Sequence, residues 1–224
     1  MASACGTLTA PLPDIDFTQI LLSFAVLVIS LTVHEAAHAW SANYFGDPTA
    51  RLLGRVSLNP AVHIDPIGTI VFPLLAMVTG LNFLIGWAKP VPVNTRQLGP
   101  HWKQRFMLIA AAGPASNLVM ATVAAVAIRL LIPNDSIFES TLSPTVKVLF
   151  LAVQLNVLLA VFNMVPVPPL DGGNVLAGVL RGPAAEAFER LRPYGFMVIY
   201  GLMLSGILWR LVSPVEELVL SLLL

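Results

Sequence analysis

Long apolar runs, broken at intervals by prolines and charged residues, dominate the chain. A helix that crosses a bilayer needs about 20 mostly apolar residues. The stretch from Phe17 to Phe45 meets this and carries no charged side chain before His34 and Glu35. Phe106 to Ile132 and Thr145 to Met164 also qualify, and Phe196 to Val212 is long enough to cross. Ile67 to Ile85 is equally apolar but is interrupted by Pro73, Gly80 and Asn82. The tail Val215–Leu224 is too short to span alone, so it either lies at the interface or extends the last helix. The first run is too long for a cleavable leader and has no basic residues before it. The expected fold is an all-α polytopic membrane protein with about five to six transmembrane helices. It includes a re-entrant or broken segment at 67–85 and short interfacial β strands. The strands are expected because Arg55-Val-Ser-Leu-Asn59 alternates in polarity and prolines extend Val91-Pro92-Val93. An ordered interfacial loop accounts for both stretches equally well.

Charge decides between dipping and crossing at 67–85. Basic residues gather on the cytoplasmic face of a membrane protein. Here they cluster at Arg51 and Arg55, at Lys89, Arg96, Lys103 and Arg105, and at Arg181, Arg190 and Arg192. The acidic residues Asp14, Asp16, Asp135 and Glu139 fall in the other connections. A full crossing at 67–85 would put the first two basic clusters on opposite faces. A segment that dips in and returns puts every basic cluster on one face. Re-entrant backbone survives only where protein buries it or where it lines a wet cavity, so this topology implies a cavity.

Composition agrees with this picture and narrows the function. Of 224 residues, 57% are hydrophobic and 11% charged, with 12 basic and 12 acidic side chains. The mean hydropathy is +0.83. A soluble domain carries about a quarter charged residues, and a nucleic-acid binder carries a basic excess. Neither class fits, so the bilayer is the expected partner and nucleic acid is not. The single cysteine, Cys5, excludes a disulfide framework and a cysteine-rich zinc site.

With charge so scarce, ionisable residues inside apolar runs point to function. The first run contains His34-Glu35-Ala-Ala-His38. Residues i and i+4 share a helix face, so both imidazoles can reach one metal ion. Glu35 points about 100° away from His34 and can reach a water on that ion without being a ligand. A catalytic zinc needs a third protein ligand. Asp171 is the candidate, in Asn163-Met-Val-Pro-Val-Pro-Pro-Leu-Asp171-Gly-Gly173 where the Thr145 run ends. The dipping topology puts that end on the same face as the histidines. His63 is the rival third ligand.

These motifs, together with Gly113-Pro-Ala-Ser-Asn117, resemble the site-2 protease family of intramembrane zinc metalloproteases. The stretches 54–69 and 86–94 look like its compact bacterial and archaeal subgroup. The resemblance covers roughly residues 17–180, the expected catalytic core. The whole of 1–224 would then form a single integral membrane protease domain, closed by a helix at 196–212 and a short apolar tail. There is no room for the PDZ or CBS domain of larger relatives, so regulation through those domains is not expected.

The resemblance implies that His34, His38 and Asp171 hold one Zn²⁺ per chain and that Glu35 is the general base. It makes Asn117 and Asn163 partners of the substrate backbone or the oxyanion, although amides in membrane helices also serve as helix-to-helix bridges. It implies an endopeptidase acting within or near transmembrane segments of other membrane proteins, in a prokaryotic cell membrane, with its active site towards the cytoplasm. The edge strands expected above would hold the unwound substrate by strand addition. Metal binding or transport without hydrolysis is the competing reading. Transporters commonly carry internal repeats, and the sequence shows none.

Overall fold

The structure is a computed structural model and describes residues 17–79, 86–132 and 143–224. The acidic residues used above for topology, Asp14, Asp16, Asp135 and Glu139, lie outside the described residues, as does Cys5.

Among the described residues the fold is helical. Helix α1 spans Phe17–Tyr44 and leads into a single turn, α2, at Thr49–Leu52. After a 3₁₀ turn at Pro60–Val62, a π turn at Pro66–Val71 runs into α3 at Phe72–Thr79. Helix α4 is Trp102–Leu131 and α5 is Pro144–Asn163. Four shorter helices complete the chain: α6 (Asp171–Val179), α7 (Pro183–Leu191), α8 (Gly195–Leu204) and α9 (Ile207–Leu223).

Helix α4 is the hub and packs against α1, α5 and α6. Its alanines explain the close approach. Ala121, Ala124 and Ala125, with Ile128, form a buried stripe against Val153 and Val157 of α5. Small side chains let membrane helices pack backbone to backbone, since lipid gives no hydrophobic drive for their association. A second cluster joins Leu27 and Leu31 of α1 to Leu155 of α5 and to Ala88.

Among the described residues, fewer spans are seen than the sequence suggested. Helices α1, α4 and α5 are long and apolar enough to cross a membrane, and a bent pair, Pro183–Leu204 with Ile207–Leu223, makes up to four. Two local features explain the difference. The predicted helix at 196–212 is split at Gly206, whose φ of +73° ends α8 in a left-handed turn, and the two arms of the pair diverge by 78°. The apolar tail accordingly extends α9, which buries Leu208 and Val212 beside Val165.

The second feature is the segment at 67–85, of which residues 80–85 lie outside the described residues. Its described ends meet. The Trp87 N–H donates to the Gly68 carbonyl at 3.1 Å, and the Lys89 N–H to the His63 carbonyl at 2.8 Å. The Thr69 hydroxyl donates to the Trp87 carbonyl at 2.8 Å. The chain that leaves at His63–Thr69 therefore comes back to its starting level at Trp87–Lys89.

No strand forms among the described residues, so the expected interfacial strands at 55–59 and 91–93 are corrected. Alternation alone gives a strand no partner. Side chains and turns satisfy this backbone instead. His63 Nε2 binds the Ser57 carbonyl at 2.8 Å, Asn59 Oδ1 accepts from Ala61 N, and Arg55 donates to the Lys89 and Pro90 carbonyls. Pro90 and Pro92 have no N–H to offer a ladder.

Candidate metal centre

His34 and His38 lie one turn apart on the buried side of α1, 4% and 8% exposed. Asp171 is the first residue of α6, where the proline-rich turn after α5 brings it back to α1. Gly172 and Gly173 permit this approach, because a Cβ on Gly172 would fall 2.2 Å from the Met164 carbonyl oxygen. Three atoms converge. His34 Nε2 and His38 Nε2 are 3.1 Å apart, and Asp171 Oδ2 lies 3.1 Å from the first and 3.3 Å from the second. Two donors at ~2.0–2.1 Å on a tetrahedral zinc ion stand roughly 3.3 Å apart, so the set fits one ion.

The outer nitrogens support the same conclusion. His34 Nδ1 meets Asn117 Oδ1 at 2.6 Å, and His38 Nδ1 meets the Ile109 carbonyl at 2.7 Å. Both partners are acceptors, so each imidazole carries its proton on Nδ1 and turns the Nε2 lone pair inward. In that arrangement two lone pairs and a carboxylate face one another, a donor set suited to a cation between them. Outer partners of this kind are the usual means of fixing a metal-ligating histidine.

Glu35 is half-buried beside the cluster. Its carboxylate acts electrostatically on Arg55, whose guanidinium is drawn below its usual pKa by burial while Glu35 opposes the shift. A groove of about 360 Å³ lies along a different face of α1, lined by Val33, Ala36, Ala37 and Trp40 and by Val56, Ser57 and Leu58.

The remaining candidates fall elsewhere. His63 is 2% exposed and binds the Ser57 carbonyl, away from the three converging atoms. Asn163 ends α5 with its amide on the Leu159 carbonyl at 2.9 Å. Asn117 is fully buried behind His34 and connects α1, α4 and α5. Sequence reasoning missed Asn156, fully buried on α5 and 2.8 Å from the Asn117 amide. The available signal was an uncharged amide in the middle of an apolar run, where an unpartnered polar group is costly.

The fold and the cluster together define a membrane-embedded metallohydrolase of the H-E-x-x-H type. The profile described as "Peptidase family M50" matches residues 132–205. "Putative zinc metalloprotease YwhC" of Bacillus subtilis (strain 168) is 35% identical over 203 residues, covering 88% of each chain. The protein Rip2 of Mycolicibacterium smegmatis (strain ATCC 700084 / mc(2)155), described in the same words, is 30% identical over 193 residues, covering 85% of this chain and 69% of that one. Rip2 of Mycobacterium tuberculosis (strain ATCC 25618 / H37Rv) is 31% identical over 180 residues, covering 80% and 64%. No solved structure matches the chain. The chain belongs to peptidase family M50, the site-2 protease family of zinc metalloproteases.

Proposed function

We propose that this chain is a zinc-dependent intramembrane endopeptidase that hydrolyses peptide bonds within or near transmembrane segments of other membrane proteins. The observation that carries the reading is the convergence of His34, His38 and Asp171 on a buried face of apolar helices, with Glu35 beside them.

In this reading His34, His38 and Asp171 hold the ion. Zinc bound there supplies a Lewis acid that acidifies a water and polarises the scissile carbonyl. The protein residues do the rest. Glu35, one residue on from His34, takes the proton from the attacking water and returns it to the leaving amine, a role worth about 10²–10⁴-fold in rate. Arg55, held against the 89–90 carbonyls, keeps a positive charge near that carboxylate. The wall formed by Val56 to Leu58 stays in place because His63 grips Ser57 from behind. The apolar groove between this wall and Ala36–Ala37 suits an aliphatic side chain of an unwound substrate helix. Asn163, at the end of α5, would contribute to substrate binding.

The backbone return at Trp87–Lys89 supports a re-entrant segment at 67–85, and in that reading all the basic clusters, and the metal centre near them, lie on the cytoplasmic side of a prokaryotic membrane. The test is incubation of purified wild type and Glu35→Gln with a panel of single-span membrane proteins in detergent, with products mapped by mass spectrometry. Wild type should cut within or next to the span, and Glu35→Gln should lose at least about 100-fold of that activity while keeping zinc. Unimpaired cleavage by Glu35→Gln would sink the mechanism. Zinc binding with no cleavage by wild type of any substrate in the panel would favour a non-proteolytic metal protein.

A further inference from the structure

The hydrogen bonds behind His34 form a directed chain whose origin lies on α5. The Ala152 carbonyl can only accept, so Asn156, 2.8 Å away, must present its NH₂ there. The same NH₂ also meets Ser30 Oγ at 2.9 Å. That leaves Asn156 Oδ1 facing Asn117, which must answer with its own NH₂ at 2.8 Å. Asn117 Oδ1 is thereby turned towards His34 Nδ1, at 2.6 Å. The other acceptor available to the Asn117 NH₂, the Ser30 carbonyl, lies at 3.4 Å, beyond the usual range of 2.7–3.2 Å. Asn156 is thus the group that decides which way the Asn117 amide points. Both amides are fully buried, where water cannot substitute for a missing partner.

We propose that Asn156 is a positioning residue for the metal centre, acting through Asn117 to hold His34 in the Nδ1-protonated tautomer that presents Nε2 to the ion. The proposal rests on the reading of His34 as a ligand. Without an acceptor at position 156 the Asn117 amide is free to turn over and offer its NH₂ to His34 Nδ1. The imidazole proton then moves to Nε2, where it binds Asp171 Oδ2 and occupies the direction the ion needs. A residue that only bridges helices would show no such dependence on acceptor chemistry.

Two near-isosteric variants separate the roles. Asn156→Asp keeps an oxygen facing the Asn117 amide, whereas Asn156→Leu removes it. Zinc affinity of the purified full chain, measured by competition with a fluorescent chelator, should fall 10–100-fold in Asn156→Leu and stay within a few-fold of wild type in Asn156→Asp. Unchanged affinity in Asn156→Leu, or equal losses in both, would overturn the proposal while leaving the protease reading intact. If wild type binds no zinc, the metal reading itself fails. Should Asn156→Leu not fold, wild type carries the test: long-range ¹H–¹⁵N correlation must place the His34 proton on Nδ1, and a proton on Nε2 overturns the inference.

Discussion

A methyl group on residue 113 would stand 2.4 Å from His38 Nε2 and 2.6 Å from His34 Nε2. Gly113 on α4 is therefore the floor on which both imidazoles rest, and any side chain there takes their space. Gly113→Ala should fold, since alanine favours the helix, by up to about 1 kcal/mol over glycine. It should nevertheless lose stoichiometric zinc, as read by elemental analysis of the purified protein. Retention of one zinc per chain would show that the imidazoles can move aside. Much of this residue-scale chemistry is readable from the sequence. The i, i+4 histidines follow from helical geometry, and Asp171 stands out because a carboxylate beside apolar helices is so expensive. Asn156 is harder to read, because a single amide in an apolar run signals helix bridging as readily as second-layer support for a ligand.

At the scale of elements, the informative junction is the one between the π turn and the returning segment. Asp65 caps the turn by accepting from the Ile67 and Gly68 amides, and Gly68 lies flat against the Trp87 indole. A Cβ on Gly68 would sit 2.4 Å from the ring, so Gly68→Val should push Trp87 away and break the hydrogen bond from its N–H to the Gly68 carbonyl. Overpacking of this kind costs about 1–3 kcal/mol. Hydrogen exchange should show faster exchange at Trp87 and Lys89 in the variant, with α4 and α5 unchanged. Unaltered protection would mean that the segment is held by something else. The misread elements share one cause. Local pattern predicts what a segment can form, and partners decide what it does form. In the alternating 55–59 stretch the Ser57 carbonyl is taken by His63, and Arg55 takes the Lys89 and Pro90 carbonyls, so no ladder develops. Glycine is common in membrane helices, so nothing local distinguished the left-handed Gly206 from a tolerated one.

For the whole molecule, the contested feature is topology. Single cysteines introduced in place of Arg51, Arg96 and Arg190, in a Cys5→Ser background, should all react with a membrane-impermeant maleimide from the same face. A cysteine at Ser143, at the start of α5, should react only from the opposite face. Labelling of positions 51 and 96 from different faces would make 67–85 a full crossing. The apolar character and the placement of basic residues were legible from the sequence. The hub role of α4 was not, because its alanine stripe has a meaning only once α5 lies against it.

The contact between His34 and Asp171 joins positions 137 residues apart. Chains are made from the N-terminus, at roughly 5–20 residues per second. A nascent protein thus carries both imidazoles into the bilayer early and waits several seconds for its carboxylate. Through that interval the two histidines lack Asp171, and the three-residue cluster is complete only once α6 docks. On the proposed reading, the late arrival of one aspartate would leave the metal centre incomplete while the chain's own helices are still being inserted.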